Sequence, residues 1–204
     1  MIVVKVGGSL FDHPRLGPGL RTFLDSLAPV EVILVAGGGK VVDAVRELDR
    51  VHGLGEEASH WLALQAMGVM GDVLERIIDP TPNPFLAAER GVQTPPSLLV
   101  KGAGGLGRRR VLDSLAFARE DDSRPGALPH SWEVTSDSIA ARAAVVYGAE
   151  RFLLLKSVDV PPGTPWKEAA ARGGVDPHFP RVVAGAAFAV EVVNFRRVLE
   201  SVPA

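Results

Sequence analysis

The chain moves between short β-branched apolar runs and longer stretches where apolar residues recur every three or four positions. Ile2 to Val6 is such a run, broken only by Lys5, and its length and composition predict a buried strand. From Arg15 to Leu27 the apolar residues fall at Leu16, Leu20, Phe23, Leu24 and Leu27. That is helical spacing, and Pro29 closes it. Glu31 to Ala36 predicts a second strand. Val41, Val42, Val45 and Leu48 then mark a helix that runs out near Gly53. A β-α-β order of this kind favours a parallel sheet with helices on its faces.

Residues 56–78 predict one long helix, apolar around most of its girth. Burial on several sides and a subunit interface both explain such a helix, and the second reading predicts a homo-oligomer. The run Asp79-Pro80-Thr81-Pro82-Asn83-Pro84 ends it. A strand is expected at Ser97 to Val100, a loop at 119–130, and a helix capped by Thr135 or Ser136 that carries Ile139, Ala140, Ala143, Ala144 and Tyr147. Phe152 to Leu155 predicts a further buried strand and Pro161 to Pro165 a loop. A helix near 179–188, a strand at 189–193 and a terminal helix at 195–201 complete the pattern.

Composition narrows the class. With 204 residues, 47% of them hydrophobic, the chain can bury one sizeable α/β core. Its net charge of -2 lacks the basic balance of a dedicated nucleic-acid binder. The absence of cysteine excludes a disulfide framework, a thiolate metal site and a cysteine nucleophile. The first apolar run stops at Gly7, too short for a signal peptide or a membrane span. A cytoplasmic protein acting on small molecules, with no membrane or nucleic-acid partner, is the expectation.

The candidate chemistry lies in two glycine clusters, each directly after a predicted strand: Gly7-Gly8-Ser9 and Gly37-Gly38-Gly39-Lys40. A buried strand that ends in glycines and leads into a helix leaves bare N–H groups at a positive helix end, where phosphate binds readily. Two such turns within forty residues suggest a site for two phosphorylated groups. Lys5 is costly to bury unless it meets an anion. Its place one residue before the glycines suggests an ammonium aimed at a bound phosphate, against the alternative of a lysine snorkelling from an edge strand. Lys40 is not a P-loop lysine, because the spacing G-x-x-x-x-G-K-[ST] is absent. Thr135-Ser136-Asp137-Ser138 opens a helix; Asp137 either complements the helix dipole, the reading its local setting favours, or orients lysines or a metal around a transferring phosphoryl group. Gly102 to Gly107 satisfies G-x-G-x-x-G but has no complete βαβ unit around it, which makes a dinucleotide site a weak reading. Arg108-Arg109-Arg110 reads as a solvated or anion-facing patch. No paired-histidine metal motif and no G-x-S-x-G elbow occurs.

Taken together, these residues resemble the amino acid kinase superfamily. Lys5, Gly7, Gly8 and Ser9 match its opening K-x-G-G-S, Gly37 to Gly39 its G-G-G turn, and Thr135 to Ala140 its later polar run with an aspartate opening a helix. Within it the chain is most similar to the methanofuran-pathway kinases, which convert [5-(aminomethyl)furan-3-yl]methyl phosphate to its diphosphate. That likeness extends to Ser59-His60, to His130 through Ser138 and to Val175 through Pro180.

The resemblance implies a three-layer αβα sandwich around a mainly parallel sheet, in one domain over 1–204. The acceptor would bind over an N-terminal half (about 1–130), and ATP with Mg²⁺ over a C-terminal half (about 131–204). It implies Lys5 and Asp137 as catalytic residues and Gly7, Gly8, Ser9, Gly37, Gly38 and Gly39 as phosphate-binding. His60, His130, Trp132 and Ser136 are implied as acceptor-binding, and Lys156, Asp159 and Arg181 as nucleotide-binding. The glycine the family shows after the strand at 152–155 is missing from Lys156-Ser157-Val158-Asp159-Val160-Pro161. That altered loop leaves a non-catalytic ligand-binding member of the fold as an alternative. Arg181 follows Pro180 where some relatives carry a lysine, so Arg181 and Lys156 compete for the role of second cation.

Overall fold

Strand β1 (Ile2–Val6) is buried along its whole length and lies at the centre of the sheet. The computed structural model describes residues 1–79 and 109–201. The strand expected at 97–100, the proline-rich stop beyond Asp79 and the Gly102–Gly107 motif lie outside the described residues. Among the described residues, β1 is joined by β2 (Val32–Ala36), β3 (Arg109–Val111), β4 (Arg151–Lys156) and β5 (Ala189–Asn194). All pairings are parallel, in the order β3-β2-β1-β4-β5. The expected mainly parallel sheet is therefore present, and the edge-strand alternative for Lys5 is removed. Lys5 pairs in register with Val35 on one side and Leu154 on the other.

Alternation along the strands divides the core in two, because successive side chains leave opposite faces. Ile2, Val4 and Val6 pack with Leu16, Leu20 and Leu24 of α1 (Leu16–Ser26) and with Phe195 and Leu199 of α8 (Phe195–Ser201). Val3, Val35, Phe152 and Leu154 pack on the opposite face, against Phe117 of α4 (Ser114–Asp121), Ile139 to Ala144 of α5 (Ser136–Val146), Ala169 of α6 (Trp166–Ala171) and Phe179 of α7 (Phe179–Val182). Lys5 shares a face with Val3, so its ammonium points toward α5.

Between β2 and β3 come α2 (Gly39–His52) and α3 (Glu56–Ile78). The long helix serves both cores: Leu64 and Met67 belong to one, Met70 and Leu74 to the other. Burial on two sides thus explains much of its apolar girth, while Leu62, Val69 and Val73 remain exposed.

Four elements differ from the sequence reading. β3 runs through Arg109 and Arg110, where a patch was expected. Their guanidiniums pair with Asp25 at 2.5 Å and with Glu31, so intramolecular carboxylates take the place of a ligand anion. α4 extends into the predicted loop at 119–130, where its last residue, Asp121, is buried and accepts from the Arg142 guanidinium of α5 at 2.7 and 2.8 Å. α6 was not foreseen, being only six residues long. The helix expected over 179–188 stops at Val182, with Gly185 in a left-handed conformation (φ 75°).

Candidate active site

The strand order reverses direction around β1. β2 and β3 lie to one side and β4 and β5 to the other. In parallel α/β sheets a ligand crevice opens at the carboxyl ends of the strands at such a switch point. A cleft of about 250 Å³ occupies that place, lined by both glycine turns, by α2, α3 and the start of α5, and by Lys5 and Lys156.

The two glycine turns touch. A Cβ on Gly8 would lie 2.3 Å from the Gly39 nitrogen, and one on Gly37 would lie 2.4 Å from the Gly8 nitrogen. Only residues without side chains let these backbones approach so closely. Gly39, with φ of 51°, starts α2 from a conformation that glycine adopts without strain. The glycines divide by role. Gly7 N–H donates to Leu155 C=O and Gly37 N–H to Val6 C=O, each at 2.8 Å. These two amides hold the turns to the sheet, and neither residue lines the cleft. Gly8, Ser9, Gly38 and Gly39 do line it. They stand at the first turns of a 3-10 helix (Gly8–Asp12) and of α2, where N–H groups have no carbonyl of their own helix to bind.

Asp137 joins the two lysines at the floor of the cleft. Its Oδ1 lies 2.8 Å from Lys5 Nζ, and its Oδ2 accepts a hydrogen bond from Lys156 Nζ at 2.6 Å. Burial by itself would raise the Asp137 pKa. The charges of Lys5 and Lys156 and their hydrogen bonds outweigh it and hold the carboxyl below its usual range. For Lys156, burial followed by repulsion from Lys5 pulls the ammonium below its usual pKa, against the attraction of Asp137. Two ammoniums sharing one carboxylate leave a net positive charge facing the cleft. That suits an anion with several oxygens.

A second buried carboxylate sets this geometry. Asp176 accepts from Thr135 N and Oγ1, Ser138 N and Oγ, His178 N and Phe179 N, at 2.5 to 3.1 Å. It therefore caps α5 from a distant part of the chain and ties α7 to the same point. Thr135, the N-cap residue, adds only a long contact of 3.5 Å to Asp137 N–H. Sequence reasoning missed this role. Its one signal was the polar opening Thr135–Ser138, which exposes more donors than its own side chains satisfy.

His60, Trp132 and Ser136, implied as acceptor-binding, line the cleft. His130 does not. It stacks on His60 with ring centroids 5.2 Å apart, binds Asp122 at 2.7 Å and borders a separate cavity of about 20 Å³. Burial first, and the neighbouring His130 second, push the His60 pKa down and favour neutral imidazole at pH 7. Trp132 donates its indole N–H to Asp49 at 2.8 Å, and that bond lowers the Asp49 pKa.

Asp159 and Arg181 also stand outside the cleft. Asp159 is held by Asn194 at 3.0 Å and Arg197 at 2.7 Å, and Arg181 is exposed on the short α7. Lys156 thus takes the place at the floor for which the two cations competed. Arg196, absent from the sequence candidates, donates to the Ser9 carbonyl at 2.7 Å and to Asp12 at 2.6 Å, clamping the first glycine turn from α8.

Among the described residues, no group of three or more His, Asp or Glu is placed to hold a metal ion, and no helix is long and apolar enough to cross a membrane.

Comparison with known proteins agrees with this architecture. The sequence pattern of the Amino acid kinase family matches residues 1–160. A curated protein of Methanocaldococcus jannaschii, [5-(aminomethyl)furan-3-yl]methyl phosphate kinase, is 23% identical over 161 residues, which span 78% of this chain and 67% of that protein. Among solved structures, uridylate kinase from Archaeoglobus fulgidus superposes with a TM-score of 0.60 at 17% identity, covering 98% of this chain and 95% of its own. UMP kinase from Bacillus anthracis does so with a TM-score of 0.56 at 14% identity, covering 98% and 92%. The three-layer α/β fold is shared with these structures. The chain belongs to the amino acid kinase family and is a small-molecule kinase.

Proposed function

We propose that this protein transfers the γ-phosphoryl group of ATP to the phosphate of a small phosphorylated acceptor, giving a diphosphate, and that the acceptor is [5-(aminomethyl)furan-3-yl]methyl phosphate. The carrying observation is the Lys5–Asp137–Lys156 group at the floor of a cleft where two phosphate-type turns touch. Phosphoryl transfer asks a protein mainly to position its substrates and neutralise charge. Lys5 and Lys156 supply fixed positive charge, and the Gly8, Ser9, Gly38 and Gly39 backbone supplies donors on both sides of the transferring group. Asp137 orients the two ammoniums. A base is not needed, because a phosphate acceptor is already ionised.

The acceptor would lie toward α2, α3 and Trp132, and the nucleotide toward β4 and the residues after it. The lysines and turn amides fit nucleotide phosphates. They form no cage for Mg²⁺, since Asp137 already serves two lysines and no cluster of metal ligands exists among the described residues. The Mg²⁺ implied by the family would therefore arrive on the nucleotide phosphates, where it would neutralise charge. The named acceptor is favoured by the likeness to the M. jannaschii kinase.

Phosphorus NMR of the protein with Mg·ATP and the aminomethylfuran phosphate should show ADP and a new diphosphate pair. Replacing Lys5 with Ala should lower turnover by about 10²–10³, the usual loss on removing one preorganised charge-stabilising donor. Undiminished turnover in that variant would take Lys5 out of the reaction. ATP binding without transfer to any phosphate monoester would favour the ligand-binding alternative.

A further inference from the structure

We propose that the outer end of the cleft, between the Asp43 carboxylate and the indole face of Trp132, recognises a positively charged group on the acceptor, an alkylammonium. This deepens the reading above and rests on it. It makes the preferred substrate a short zwitterion, with phosphate at one end and ammonium at the other.

Asp43, Arg46 and Asp49 follow one another at three-residue spacing on α2, a spacing that places them along one helix face. Asp49 fixes the Trp132 ring through its indole N–H at 2.8 Å. The Arg46 guanidinium lies over that ring, 5.0 Å from its centroid, with Nη1 3.5 Å from Asp43 Oδ1. A cation therefore already rests between an aromatic face and a carboxylate, the two surfaces that favour cations most. It is held loosely. A separation of 3.5 Å is at the limit for a hydrogen bond, and the Arg46 and Asp43 side chains are 46% and 67% exposed. Exposed pairs of this kind contribute little, so a ligand ammonium can displace the guanidinium at small cost.

The charge distribution along the cleft points the same way. Its floor carries Lys5 and Lys156 around Asp137, a net cationic end. Besides Asp137, Asp43 is the carboxylate that lines it among the described residues; Arg46 lines it too and balances Asp43 until a ligand ammonium displaces the guanidinium. Val42 and Met67 lie along the same wall and would accept a small apolar skeleton between the ends. A uridylate offers no cationic group to the Asp43 end.

The test compares two phosphate monoesters that differ in one group, the aminomethylfuran phosphate and its hydroxymethyl counterpart. Calorimetry measures binding to the whole protein, and coupled ADP release measures transfer. The wild type should prefer the amine by about five- to thirty-fold in both Kd and kcat/KM, the range given by one exposed cation–π contact plus one exposed ion pair. In Asp43→Asn the preference should collapse toward unity, because the variant loses its affinity for the amine. Asp43 is exposed and packs into neither core, so this variant should keep the wild-type melting temperature. Equal handling of the two esters by the wild type, or a preference that survives Asp43→Asn, would overturn the proposal while leaving the kinase reading intact. Preferred binding of the amine with no transfer would instead sink the kinase reading and leave this recognition site standing.

Discussion

Asp137→Asn is the sharpest test of the site, because it keeps shape and removes one charge between two. In the wild type, Lys5 Nζ and Lys156 Nζ lie 2.8 and 2.6 Å from the carboxylate, and the side chains of Lys5, Asp137 and Lys156 are 5%, 5% and 13% exposed. Water can screen little of what is lost. Removing one partner of a buried pair costs about 3–5 kcal/mol. Each kcal/mol moves the melting temperature of a domain this size by roughly 2–4 °C, so Tm should fall by about 6–20 °C. Two further features separate this cause from general misfolding. The buried, unpaired Lys156 can relieve the strain by losing its proton, so the deficit should shrink as pH rises from 7 toward 9. Inorganic phosphate or ATP, which return negative charge to the floor, should raise Tm more in the variant than in the wild type. In the wild type the folded-state pKa of Asp137 is depressed, so its contribution is complete above the ordinary carboxylate pKa of about 3.9 and is lost as pH falls through the depressed value. Calorimetric melts at several pH values, with and without phosphate, measure all of this. A variant melting within about 2 °C of the wild type at pH 7, with no extra response to phosphate, would show that the Lys–Asp–Lys group carries little energy and would refute the electrostatic account.

Two more predictions follow from the same geometry. Lys156 must be charged to neutralise phosphate, and burial plus Lys5 lower its pKa; the alkaline limb of kcat/KM should therefore lie below the ordinary lysine value of about 10.4 and move upward in Lys156→Arg. A limb unmoved by that substitution would assign it to another group. Gly8→Ala would put a Cβ 2.3 Å from the Gly39 nitrogen and 2.7 Å from its Cα, and neither backbone atom can step aside. The turns must separate, and a displacement of this order should lower turnover by about 10²-fold; near-normal turnover with a normal Tm would mean that the contact between the turns is dispensable.

The exposed apolar residues Leu62, Val69 and Val73 on α3 keep the homo-oligomer expected from the sequence open as a proposal, which sedimentation of the purified protein would decide.

Much of this protein is written in local pattern. Strands β1, β2, β4 and β5, the bounds of α3 and the opening of α5 were legible because burial on a pleated sheet or along one helix face forces a period onto the sequence. Lys5 was legible for a related reason: a charge inside a buried run must be answered by something. What local pattern could not carry was partnership across the chain. Local pattern explains Asp137 equally well as a first-turn acid; which lysines it meets is decided only when the sheet order brings β1 and β4 side by side and Lys5 and Lys156 converge on it from separate strands. Asp176 looks like an ordinary loop acid until the fold places it under the start of α5. Gly7 and Gly37 resemble Gly8 and Gly38 in sequence, and only the parallel sheet decides that their amides are consumed by Leu155 and Val6. Arg181 and Lys156 were indistinguishable candidates until the topology put one at the floor of the cleft and left the other in solvent. Periodicity reports which face of an element is buried; which charges meet there is decided by strand order, and that order comes from long-range packing that no short window of sequence contains.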